Sequence, residues 1–118
     1  MAQFLAFHTV RKKRDESEAG EGVLDALGAF LAEGDELNLR CHNEKELPPN
    51  DEADKWDDRV AEFLRERLGE SYIARFRSGA GLPMGLTSIA SKDHRDLSSG
   101  IKVGTARLEQ FIAELSAK

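Results

Sequence analysis

The stretch Asn50–Gly69, NDEADKWDDRVAEFLRERLG, decides the fold. Within it Trp56, Val60, Phe63, Leu64 and Leu68 return every three or four positions, the spacing that sets apolar side chains on one face of a helix. Leu47-Pro48-Pro49 ahead of it is a break, because proline lacks the donor a helix interior needs and restricts the residue before it. Asn50 or Asp51 is therefore the expected N-cap, and Asp51, Glu52 and Asp54 suit the positive end of the helix dipole. Gly69 stands where a glycine just past the last turn ends a helix in a left-handed conformation.

The same period extends in both directions. From Asp15 to Leu39, the residues Val23, Leu24, Leu27, Phe30, Leu31 and Leu37 recur at helical spacing. The polar positions between them hold eight acids (Asp15, Glu16, Glu18, Glu21, Asp25, Glu33, Asp35, Glu36) and no base. This predicts an amphipathic helix with an anionic outer face, in which Gly28 and Gly34 mark either a close helix approach or a local end. Downstream, Ser71 to Arg77 reads as a short third helix, with Tyr72, Ile73 and Phe76 turned to the same core. Ser78 to Ser99 has no sustained period and reads as a long Gly/Ser-rich loop. A last helix is expected after it, capped by Ser98 or Ser99 and carrying Ile101, Leu108, Phe111, Ile112 and Leu115. No alternating run is long enough to demand a sheet, although Phe4 to Val10 reads as a short strand or a helical start. The expected fold is all-α: a small bundle of three to four helices, with residues 15–118 a single helical domain behind a basic N-terminal tail, residues 1–14.

Charge and cysteine narrow the class. The chain has 118 residues and a net charge of −5, which works against a general polyanion binder. One cysteine, Cys41, excludes an internal disulfide and suits a reducing compartment, so a cytoplasmic protein is expected. Met1 to Val10 is too short and too interrupted for a secretory signal, and no stretch approaches the roughly 18 apolar residues of a membrane span.

Several motifs resemble catalytic signatures and fail on spacing. His94-Arg95-Asp96-Leu97 matches the opening of a kinase catalytic loop, but Ile101 stands where a magnesium-binding Asn is needed. Gly79-Ala80-Gly81-Leu82-Pro83-Met84-Gly85 places its third glycine one position late for a phosphate cradle, and no strand leads into it. Cys41-His42 with His94 supplies soft ligands without paired metal spacing, and adjacent helical residues point about 100° apart, so they form no dyad by proximity alone. No catalytic residue, metal or cofactor is expected, and the chain is not read as an enzyme.

Three surfaces remain. The acids Asp25, Glu33, Asp35 and Glu36 form the expected partner-binding face. Arg65, Arg67, Arg75 and Arg77 with Tyr72 form an alternative nucleic-acid surface, since guanidinium groups pair with phosphates and aromatic faces stack on bases. The bland reading of those arginines is that they neutralise the acids of the first helix at the core rim. Arg11, Lys12, Lys13 and Arg14, beside Phe4, Leu5 and Phe7, form a basic tetrad suited to peripheral contact with anionic lipid or acidic protein.

Leu27 to Leu37, the Trp56 helix, the Leu68-Gly69-Glu70-Ser71-Tyr72 junction, Phe76 and Leu108-x-x-Phe111-Ile112 together resemble a pattern of uncharacterised bacterial proteins, over about residues 23 to 116. The resemblance implies a helical cytosolic domain of the kind often found after transmembrane helices, and it brings no known function. Under it, the tetrad looks like a membrane-adjacent segment. The expectation is a small acidic module of protein-protein interaction or regulation, acting on a protein partner or by self-association. The alternatives are nucleic-acid binding and a phage or defence-associated inhibitor.

Overall fold

The computed structural model describes residues 19–82 and 89–117. It shows four helices, and no strand among the described residues: α1 (Ala19–Cys41), α2 (Asn50–Arg67), α3 (Glu70–Phe76) and α4 (Lys92–Ser116). The all-α bundle is therefore the fold. The basic tetrad, the Phe4–Val10 segment and residues 83–88 of the glycine-rich stretch lie outside the described residues.

Helix α1 is the spine. Ser98 of α4 meets Asn38 and Thr105 of α4 approaches Gly34, so α4 runs antiparallel to α1. On the neighbouring side Arg40 pairs with Glu52 and Glu33 with Arg59, so α2 is antiparallel to α1 as well. Helices α2 and α4 therefore point the same way, and the short α3 packs against both. Gly69, at φ 108°, turns the chain, and its N–H joins that of Leu68 on the Leu64 carbonyl to close α2. A left-handed φ is nearly free of steric cost for glycine alone.

The core is the apolar set the periodicity picks out: Val23, Leu27 and Leu37 from α1, Trp56, Val60 and Leu64 from α2, Ile73 and Phe76 from α3, and Ile101, Leu108 and Phe111 from α4. Phe30, Phe63, Tyr72, Ile112 and Leu115 pack against it, half-buried. Trp56 ties the elements together. Its indole lies on α1 at Gly34, where an added Cβ would sit 2.6 Å from the ring, and against α4 at Gly104, where the distance would be 2.8 Å. With no side chain at Gly34, the indole N–H reaches the Phe30 carbonyl at 2.9 Å. Phe76 closes the other edge of the ring at 5.7 Å between centroids. Gly34 is thus a close approach, whereas a Cβ at Gly28 would meet nothing within 4 Å.

Three boundaries differ from expectation. Pro49, not Asn50 or Asp51, is the N-cap of α2, without a side-chain cap bond; proline's fixed φ favours a helix entry and its missing donor costs nothing there. The third helix runs one residue earlier than Ser71–Arg77. The last helix begins at Lys92, capped by Ser91 instead of Ser98 or Ser99. Part of the segment read as loop is therefore helical: its polar residues hid a turn whose inward side is histidine and serine instead of Leu or Ile.

Candidate functional site

The outward stripe of α1 follows from the same helical period as the core. Asp25, Ala29, Ala32, Glu36 and Leu39 step by three and four residues on the side away from the buried stripe, with Asp35 beside them, and all are exposed. Asp25 and Asp35 make no ion pair among the described residues. Leu39 is 72% exposed and Leu47, beyond the turn that follows α1, is 91% exposed. The sequence reading did not single these leucines out. Leu39 was legible in principle, because it falls off the phase of Val23, Leu27, Leu37 and Cys41.

Glu33, the fourth acid of the expected partner face, turns aside to α2 and is held by both terminal guanidinium nitrogens of Arg59. Arg40 makes the corresponding two-pronged bridge to Glu52. That hydrogen bond holds the Glu52 carboxyl below its ordinary value and raises the arginine's. Between the two bridges lies a groove of about 270 Å³ whose walls include Glu36, Leu37 and Lys55.

The arginines of the alternative surface are largely engaged by this chain's own carboxylates. Arg65 pairs with Glu62 and Glu70, Arg75 with Glu114 at 2.6 Å, and Arg77 with Asp57 at 2.6 Å. Arg75 also stacks on Phe111 and Tyr72, at 4.7 and 5.4 Å from the ring centroids. Tyr72 in turn sets its ring edge-to-face on Phe111. Arg67 lies over Phe63. Among the described residues Arg59 pairs with one α1 acid, Glu33, whereas Arg65, Arg75 and Arg77 pair with acids on α2, α3 and α4.

A polar cluster joins the turn after α1 to the start of α4. His94 is 6% exposed, with Nε2 2.7 Å from the Glu46 carbonyl and Nδ1 2.7 Å from Ser91 Oγ. A carbonyl only accepts, so Nε2 carries the hydrogen, and in the neutral tautomer the Ser91 hydroxyl donates to Nδ1. The Glu44 carboxylate accepts the Ser91 backbone N–H, which holds that carboxyl below its ordinary value, with the Ala90 N–H assisting. One turn along, the buried Ser98 hydroxyl donates to Asn38. Among the described residues no buried side-chain nitrogen or oxygen lacks a partner, so the cluster is a closed set of bonds. Cys41 is fully buried, burial pushing its thiol up and away from the reactive thiolate, while His42 stands exposed; the two form no dyad.

Among the described residues no group of three His, Cys, Asp or Glu side chains is placed to hold a metal ion, and no helix is long and apolar enough to cross a membrane. Compared with known proteins, the chain matches no family model, no curated protein and no solved structure.

Proposed function

We propose that this chain is a protein-interaction module that docks a cationic surface of a partner protein along the outward stripe of α1. The observation that supports this reading is the pairing of Leu39, 72% exposed, with Asp25, Asp35 and Glu36 in one row along a helix. An apolar anchor flanked by carboxylates free to meet a partner is a combination that gives contact area and steering together. Leu47, 91% exposed, is a second apolar side chain, in the turn region after the helix. By contrast, Arg65, Arg75 and Arg77 carry carboxylate partners already, and a phosphate would have to displace them.

The test is affinity capture from the native host, read by mass spectrometry, with the wild-type chain and a D25K/D35K/E36K variant of matching circular dichroism. Glu33 is left intact because its bridge to Arg59 is structural. A protein recovered by the wild type at low salt and lost by the variant supports the reading; identical recoveries reject the stripe.

A further inference from the structure

We infer that residues 1–14 of this chain occupy the outward stripe of α1 in cis, a contact that rests on the reading of that stripe as a docking surface. A cationic partner then has to displace a segment of its own chemistry. The order of chemistry is mirrored about the start of α1. Forward along the helix, Asp25, Asp35 and Glu36 come first and the exposed Leu39 follows. Backward from the helix, the bases Arg11 to Arg14 come first and Phe7, Leu5 and Phe4 follow. A chain that doubles back within residues 15–18 therefore sets cations on carboxylates and rings on the leucine in one register.

The lengths agree with that order. With α1 starting at Ala19 and rising about 1.5 Å per residue, Asp25 stands about 9 Å along it, Glu36 about 26 Å and Leu39 about 30 Å. Extended chain covers about 3.3 Å per residue, so Arg14 reaches up to about 16 Å from Ala19, Arg11 about 26 Å and Phe7 about 40 Å. The tetrad thus spans the acids, and Phe7 passes Leu39. The acids between, Asp15, Glu16 and Glu18, directly precede the positive end of the α1 dipole, which favours them there and leaves the four bases for the stripe. On the stripe, Asp25 and Asp35 make no ion pair among the described residues, so no base of the bundle has to be displaced from them. A tether this short holds the segment at an effective concentration on the order of millimolar, which favours the chain's own segment over that of a second copy.

The test uses the full chain with Gln3→Cys carrying a nitroxide; Cys41 is fully buried and stays without a label. At low ionic strength the amide resonances of Asp35, Glu36 and Leu39 are expected to broaden in the isotope-enriched, nitroxide-bearing chain. The broadening is expected to fall at least fivefold when the tetrad is neutralised as R11Q/K12Q/K13Q/R14Q, or the stripe as D25N/D35N/E36Q, each with unchanged circular dichroism. A mixture of isotope-enriched chain without nitroxide and ordinary chain with it is expected to show no broadening, which assigns the contact to one molecule. No broadening in the doubly marked chain, broadening that survives either neutralised variant, or broadening of equal size in the mixture overturns the proposal; the last makes the occupant a second copy. No partner is present in these samples. Retained broadening beside a failed partner capture therefore rejects the partner and keeps the cis contact, and the opposite pair of results rejects the cis contact alone.

Discussion

The two ends of the α1–α4 pair are held by different physics. Toward the C-terminus of α1, contact is made by hydrogen bonds: Asn38 with Ser98, Glu44 with Ser91, His94 with Ser91 and Glu46. Toward its N-terminus contact is apolar: Val23 and Leu27 share a core with Leu108 and Phe111, and edge-to-face pairs 5.6 and 5.0 Å apart tie Phe30 of α1 to Phe63 of α2 and Phe111 of α4 to Tyr72 of α3. Along α4 the ends are separated by about 25 Å between His94 and Phe111, at 1.5 Å per residue. Apolar contact is non-directional and rewards volume, so it fixes that the helices meet. Hydrogen bonds are directional and penalise mismatch, so the polar end is suited to fixing register.

The sharpest test is at the apolar end. Phe111 is fully buried and supports both Tyr72 and Arg75. Phe111→Ala is expected to cost about 3–5 kcal/mol, the transfer energy of the ring plus the cavity it leaves, as read by urea denaturation. A loss below about 1 kcal/mol would mean that the aromatic end is not where the bundle's stability lies.

At the polar end, Ser98→Ala removes the donor to the half-buried Asn38 and is expected to cost about 0.5–1.5 kcal/mol, the net worth of one hydrogen bond. Adding Asn38→Ala is expected to restore part of that loss, since removing both members leaves nothing unpaired. Strictly additive losses would show that the two residues are not coupled, and the contrast between the ends would fail.

This contrast also explains what could be read before the structure. Trp56, Leu64, Leu108 and Phe111 announce themselves by period because apolar burial leaves a pattern in sequence. His94 and Ser98 are equally inside, but a satisfied polar residue is written like a solvated one, so the first turns of α4 looked like loop. The acid stripe was legible as a face. Which of its members is free was not, because the turn of Glu33 toward Arg59 depends on how two helices pack 26 residues apart in sequence.

Between the ends, the glycines at the Trp56 crossing offer a smaller and more discriminating perturbation. A Cβ at Gly104 would stand 2.8 Å from Trp56 Cη2 and 2.9 Å from Phe76 Cε1. Overpacking of that kind costs about 1–3 kcal/mol, against a gain of about 1 kcal/mol in helix propensity. Gly104→Ala is thus expected to be a net loss of up to about 2 kcal/mol. Gly28→Ala, with open space around the new methyl, is expected to gain up to about 1 kcal/mol from propensity alone. Opposite signs in the two melting shifts would confirm the crossing as a point of contact; a gain at both would place Trp56 elsewhere.

The smallest effect concerns pH, and its sign follows from Glu44. Its carboxyl is held below its ordinary value of 4.5, chiefly by the Ser91 N–H. A folded value below the unfolded one means a stabilising contribution fully present above the unfolded value and lost as pH falls through the folded one. The Ser91 amide resonance should therefore titrate with a midpoint below 4.5, and Glu44→Gln should abolish that step. The Phe111 ring resonances, about 25 Å along the helix at 1.5 Å per residue, should lose no step in Glu44→Gln, because the carboxylate beside that ring is Glu114, paired with the Arg75 that stacks on it. If both ends titrate together, acid is unfolding the whole bundle, and the polar clasp has no independence from the apolar core.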